Sequence, residues 1–354
     1  MRDEYTISFI GIEKRALKRI FKKIYPDTTL VGLNRLKKYN VTNHFYLFNS
    51  INISYKDNIF KNMTNLLYNN LKINSILFSK EISKSIKLFY NITFYSPIHL
   101  RKSIFIDAIV YKGQPYQKLF SKILSKYELI TYNATSELNI FSKNLRISKE
   151  KLIYLPWGID TEFYKPIESD ERIDVLSVGS ASRDYLTLAK AINKINNKVN
   201  AVIVTGSSLR FRKIDTRYEL IDIVKLNNKI NIVKNVEPAK LRELYATSKI
   251  VVVPIYPSEA ASGVTSLLES MAMKKPIICT ESPGLIDYIN ADGVVTVKPF
   301  DEGNMANFIM DLIKDENMRK YMGKRNFYHV NEKYTTEIMA KNLAYIIKNF
   351  QWNH

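Results

Sequence analysis

Cysteine is almost missing from this chain. One residue, Cys279, occurs in 354. A single thiol excludes an intrachain disulfide framework and any metal site built on a cysteine cluster, and it fits a reducing compartment. Long apolar runs are lacking too. No stretch of about 18 uncharged apolar residues occurs, so no membrane-spanning helix is expected. The N-terminus, MRDEYTISFIGIEKR, opens with acids and breaks its short apolar run with charge, unlike a secretory signal. There is no internal repeat, no low-complexity tract and no Asp-x-Asp metal signature. Acids are scarce beside bases: 34 Asp and Glu face 53 Lys and Arg, a formal charge of +19.

That charge is uneven. Residues 1–150 hold 25 Lys and Arg against 10 Asp and Glu, whereas residues 151–354 hold 28 against 24. Such asymmetry suggests that one half meets an anionic partner: nucleic acid, an anionic bilayer or a phosphorylated substrate. The alternative is a solvated surface on a lysine-rich protein. Within the first half, EKRALKRIFKKI (13–24) can form an amphipathic helix, with Ala16, Ile20 and Phe21 on its apolar side. Such a helix lies on a membrane surface or forms a core helix with a wet outer face.

A chain of this length suits two domains. The second half carries short β-branched runs: IDVLSV (173–178), AVIVT (201–205), KINIV (229–233), IVVVPI (250–255), PIICT (276–280) and VVTV (294–297). Segments of helical period lie between most of them, as in DYLTLAKAINKI, where Tyr185, Leu188, Ala189 and Ile192 share a face. Strands alternating with helices imply βαβ units and a parallel sheet covered on both sides. The first half gives strands at YTISFIG (5–11), HFYLF, NSILFS, NITFYS and ELITYN. The Pro- and acid-rich segment 154–174 marks a domain boundary. We expect an α/β protein with domains at 1–160 and 161–333 and a closing helix at 334–354.

One stretch carries chemistry: EAASGVTSLLESMAMKKPIICT (259–280). A buried strand precedes it, and Leu267, Leu268 and Met271 set a helical period. Ser262 is the candidate N-cap, and Gly263 lets a ligand approach the backbone. Unpaired amides and the positive dipole end make such a tip a phosphate site, with Thr265 and Ser266 as hydroxyl donors. Glu269 shares a face with Thr265 and Ser262, roughly 10 Å down the axis, placed to accept from ribose hydroxyls. The alternative is a carboxylate on a solvated helix face. Lys274 and Lys275 suit the negative helix end, and Pro276 stops it. Two further strand ends carry glycine and arginine: Gly179 with Arg183, and Gly206 with Arg210 and Arg212. Arg183 can clamp a diphosphate through two nitrogens; its alternative role is an ion pair with an acid such as Asp184.

These segments, in this order, resemble retaining glycosyltransferases with two Rossmann-like domains facing a cleft (the GT-B type), in the broad group that includes glycosyltransferase family 4. LPWGIDTEFYKP (155–166) resembles that family's interdomain junction. SVGSASRDYLTLAKAI resembles its first second-domain strand and helix, and residues 236–284 resemble its donor block. The closing helix resembles one that crosses back to the first domain. The resemblance implies a hexosyltransferase-type enzyme moving a sugar from a nucleotide-diphosphate sugar to an acceptor hydroxyl, with retention and without metal or other cofactor. It implies that Glu269 binds the ribose and that Gly263, Val264 and Thr265 meet the phosphates. Arg183 would neutralise the leaving diphosphate, and Asn235 and Val236 would lie near the base. His99 is the candidate histidine near the acceptor; His44, His329 and His354 lack supporting context.

Three features depart from the family pattern. Ala261 stands where an acid normally touches the transferred sugar, and Glu259 is displaced from that position. The usual Gly-Arg pair is Gly179-Ser180. The glycine-rich loop after the first strand is reduced to Gly11. Ala261 keeps open a noncatalytic nucleotide-sugar-binding relative, and the charge keeps open a nucleic-acid-binding protein. The expected setting is cytoplasmic, peripheral on an anionic membrane face, with a lipid-linked or glycan acceptor.

Overall fold

The computed structural model describes residues 5–12, 14–30, 32–47, 85–90, 100–106, 117–195, 199–206, 211–212, 218–219 and 230–352. Two parallel six-stranded sheets organise them. The first contains β1 (Tyr5–Ile12), β2 (Val41–Leu47), β3 (Ile86–Tyr90), β4 (Leu100–Ile106), β5 (Tyr127–Tyr132) and β6 (Leu152–Tyr154), in the order β2-β1-β3-β4-β5-β6. Helices α1 (Lys14–Phe21) and α2 (Gln117–Leu124) belong to this half. Gly11 is no glycine-rich loop. It lies in β1 at a register shift between Ile10 and Ile12, where a bulge accommodates an extra residue. The strands expected at NSILFS and NITFYS lie outside the described residues.

The second sheet contains β7 (Ile173–Val178), β8 (Ala201–Thr205), β11 (Ile230–Lys234), β12 (Ser248–Val253), β13 (Ile277–Thr280) and β14 (Val294–Val297). A separate two-residue ribbon pairs β9 (Phe211–Arg212) with β10 (Tyr218–Glu219). The sheet order β11-β8-β7-β12-β13-β14 puts the reversal of winding between β7 and β12. In an open parallel sheet a ligand crevice forms at that reversal, beyond the carboxyl ends of the strands. The β-branched runs read from the sequence are these strands, and the central ones are buried on both faces, as at Val251, Val252 and Ile278.

Helices α3 (Tyr185–Lys194), α4 (Pro238–Ala246), α5 (Val264–Ala272), α6 (Glu302–Lys314) and α7 (Glu316–Lys333) flank this sheet. Asp184 caps α3 by accepting from the Thr187 amide. Pro238 opens α4, where a missing N–H costs nothing.

The last helix, α8 (Thr336–Asn349), returns to the first half. Thr335 caps it, and Leu343 and Ile347 are fully buried. It packs on the 3-10 turn Leu33–Tyr39, so closely that a Cβ on Gly32 would lie 2.5 Å from the Thr336 carbonyl. Arg35 ties three parts of the chain together. It pairs with Asp27 at 2.7 Å, with linker Glu162 at 2.8 Å and with Glu337 of α8 at 3.3 Å. These acids hold its guanidinium protonated against the effect of burial.

The basic helix differs from its sequence reading. Leu17 and Ile20 are buried, but Phe21 is 58% exposed. Arg19 turns to the second half, meeting Glu237 at 2.8 Å and stacking over Tyr25.

Candidate functional site

The crevice between β7 and β12 is closed at its floor by an isolated bridge from Arg183 to Ile255. Above it stands the N-terminal tip of α5. The cap is Gly263, not Ser262, and no side chain caps the helix. Serine is the commoner N-cap by hydrogen bonding, but the chain passes this point at φ 92, in the left-handed region that glycine alone enters cheaply. Space imposes the same choice: a Cβ here would lie 2.6 Å from Ile255 Cδ1. Ser262 instead donates its amide to the Ala260 carbonyl. Among the described residues, no hydrogen bond uses the Val264 or Thr265 amide, and Thr265 is exposed. These are the first amides of a helix, carrying the positive end of its dipole.

Arg183 lies beneath this tip. It is 7% exposed, and its guanidinium is folded back onto the chain. Nε donates to the Val178 carbonyl, one terminal nitrogen to the Ala181 carbonyl and the other to Ser266 Oγ. Gly179 makes this possible, since a Cβ there would lie 2.3 Å from the guanidinium. Arg183 therefore does not pair with Asp184, nor does it reach out as a two-pronged clamp. It fixes a positive charge next to a positive helix end, an arrangement that favours an anion above both.

Glu269 is not on a solvated face. All residues of α5 except Thr265 are buried, and Glu269 is 7% exposed. Tyr245 of α4 donates to its Oε2 at 2.8 Å, and the Tyr164 phenol of the linker lies close enough to favour its ionised form. Burial pushes the carboxyl up to about 7, opposed by the two phenols and by Arg183. A carboxylate offers about four lone-pair directions, and Tyr245 takes one. A ribose would have to share the rest.

The other expected residues divide. Ser180, standing where an arginine was expected, accepts from the Gly206 amide at 2.6 Å. That amide is thus occupied. Asn235 follows β11 at φ 54 and donates its amide to the Thr205 carbonyl; Val236 comes next, half-buried. β11 lies three strands from β12, about 14 Å at the usual spacing. His99, Arg210 and His354 lie outside the described residues, as do the side chains of Arg212 and His44. His329 packs on Tyr334 at the end of α7, far in the chain from the crevice elements. Lys275 does not serve the end of α5. Its ammonium donates to the Ala246 and Ser248 carbonyls, and burial lowers it to about 8. Cys279 is buried in β13, its thiol raised to about 12 by that burial.

Sequence reasoning missed Glu137. It follows β5 in the first half, is 3% exposed, and accepts from the Asn133 and Ala134 amides and, at 3.0 Å, from the Ala261 amide. Burial raises its carboxyl. The only sequence signal is a polar Thr-Ser-Glu at a strand end. A cavity of about 660 Å³ also opens between the halves, lined by Arg35, Asp160, Phe163 and Arg242 among others, but by none of the expected donor residues. Among the described residues, no group of three or more His, Cys, Asp or Glu could hold a metal ion.

Residues 159–327 match the family model of Glycosyl transferases group 1. Three solved structures align over nearly the full length. A glycosyltransferase from Rickettsia africae is 17% identical, with 98% of each chain covered and a TM-score of 0.63. Sucrose-phosphate synthase from Thermosynechococcus elongatus is 12% identical, with 97% of this chain and 98% of that one covered and a TM-score of 0.69. The Anabaena protein HepE, in complex with UDP and glucose, is 12% identical, with 98% and 100% covered and a TM-score of 0.66.

The chain has the GT-B fold. No curated protein matches it in sequence. The family match covers the GT-B half that contains α5, Arg183 and Glu269. Together the matches support a glycosyltransferase. Among the described residues, no helix is long and apolar enough to cross a membrane.

Proposed function

We propose that this protein transfers a sugar from a nucleotide-diphosphate sugar to an acceptor hydroxyl, with retention and without a metal ion, in the manner of glycosyltransferase family 4. The observation that carries the reading is the tip of α5: two unengaged amides above a glycine cap, backed by the Arg183 charge, at the winding reversal of the second sheet. The family match over 159–327 supports it, as does the UDP bound by the Anabaena relative.

In this reading the diphosphate rests on the Val264 and Thr265 amides. As the sugar–phosphate bond breaks, negative charge grows on the leaving diphosphate. Fixed amides and the buried guanidinium meet that charge without having to reorganise, which is where such sites gain most of their rate. Glu269 receives the ribose at its remaining lone pairs, with Tyr164 and Tyr245 holding it in place. Asn235 and Val236 border the base. His99 serves the acceptor side by the family resemblance, and Arg210 the donor by its place after the strand-end Gly206.

The acceptor side is read from surface chemistry. Phe21 and Ile24 are 58% and 44% exposed, beside exposed Lys18, Lys22 and Lys23. Apolar side chains among cations suit an anionic lipid surface, and hence a lipid-linked acceptor.

Calorimetric titration with UDP, GDP and their sugars, followed by product analysis, tests the reading. Binding with sugar transfer supports it. Binding without transfer or hydrolysis favours the noncatalytic alternative opened by Ala261. No nucleotide binding, together with steeply salt-dependent nucleic-acid binding, overturns it.

A further inference from the structure

Three consecutive residues of the first domain grip the second. The Thr135 amide and hydroxyl both donate to the Asp287 carboxylate, at 2.6 and 2.7 Å. Ser136 Oγ donates to the Glu259 carbonyl at 2.6 Å. Glu137 accepts from the Ala261 amide. Two of these contacts land on the loop that leads into α5. That loop is also fixed from its own side: Gly284 packs so tightly that a Cβ would meet the Ala260 carbonyl, and the Ser262 amide bonds to the same carbonyl. Only Ser262 and Gly263 separate the gripped Ala261 from the first α5 amides.

We propose that Thr135-Ser136-Glu137 is an interdomain latch, with Glu137 the positioning residue that sets the Ala261–Gly263 turn and so aims the α5 amides at the diphosphate. The proposal deepens the function given above and rests on it for the identity of the ligand. Position 261 carries no acid of its own, and the carboxylate beside its amide comes from the other domain. That carboxylate is buried among three amide donors. When the domains part, one of the three is lost, and the donor loop keeps only the contacts from its own side. Domain closure then completes the setting of the phosphate site.

Glu137→Gln separates the latch from the local turn. A glutamine keeps one acceptor oxygen. Turned toward the Asn133 and Ala134 amides, it preserves both bonds within the first domain. Its amide group then faces the Ala261 N–H, donor against donor, and the interdomain bond is lost. Hydrogen exchange of the full chain, without ligand, reads the consequence directly. We expect amides 259–265 to exchange about tenfold faster in Glu137→Gln, and the Kd for UDP to rise by a similar factor, the loss of one charge-assisted hydrogen bond. Ser136→Ala should move both in the same direction by less.

Unchanged exchange at 259–265 overturns the latch, whatever happens to UDP. Faster exchange confined to 127–147 also overturns it, because Glu137 then serves its own domain alone. If the wild-type chain binds no nucleotide, the functional reading fails, and the exchange result still decides whether the latch exists.

Discussion

Glu269 makes stability depend on pH in a direction that can be worked out in advance. Its carboxyl stands near 7 in the fold, against an ordinary value of 4.5. Below about pH 4.5 the group is neutral in both the folded and unfolded chains, and it contributes no pH dependence. Between 4.5 and 7 the unfolded chain gives up its proton while the folded chain keeps it, so stability falls as pH rises. Above 7 the loss is complete. The gap of roughly 2.5 pH units corresponds to about 3 kcal/mol. Replacement by glutamine removes the titration but keeps the shape. Glu137, Asp160 and Asp184 are also raised by burial, but they are present in both proteins and cancel in the difference. Urea unfolding of wild type and Glu269→Gln at pH 5, 6, 7 and 8 isolates the term. The wild type should lose about 2–3 kcal/mol relative to the variant between pH 5 and 8. Tyr245→Phe removes a donor to the ionised form and should carry the loss to higher pH. A difference that is flat across this range would refute the buried, tyrosine-held carboxylate.

Gly263→Ala meets both a left-handed φ and Ile255. We expect a loss of about 2–4 kcal/mol from backbone strain and overpacking, and a fall in UDP affinity measured by calorimetry. Gly206→Ala, at a position whose amide Ser180 already occupies, should leave that affinity within about twofold, since no open phosphate donor is lost. Arg183→Lys replaces three directed bonds with one ammonium. Thermal unfolding should show lower stability, and UDP affinity should drop about tenfold or more. Vesicle flotation tests the surface patch: Phe21→Ser with Lys22→Glu should abolish any binding to anionic vesicles, while donor affinity stays unchanged.

The second sheet was legible because its central strands are buried on both faces and read as unbroken β-branched runs, and its edge strands β11 and β14 are β-branched too. The first sheet was legible in part: β1, β2 and β5 lie where YTISFIG, HFYLF and ELITYN place them, whereas β3, β4 and β6 were not read. β3 contains Lys87, and β4 contains Arg101, Lys102 and Ser103, so neither shows a clean pattern. Lys87 is tolerated in the core because its ammonium donates to the Ser85 and Arg101 carbonyls, partners that no local pattern reveals. At the site, the glycine before an apolar run gave away the helix tip. Serine's capping preference points to Ser262, but the left-handed φ that makes Gly263 the cap is not written in the local sequence. The environment of Glu269 depends on Tyr164 and Tyr245, and that of Ala261 on Glu137. These partners lie far away in the chain and are brought together only by the packed fold.

The central claim is that the α5 tip holds a diphosphate. A crystal structure of the full chain with UDP tests it most directly. The account predicts phosphate oxygens within hydrogen-bond distance of the Val264 and Thr265 amides, with the ribose against Glu269. A nucleotide seated instead in the cavity beside Arg35 and Arg242, with the helix tip left to solvent, would contradict it.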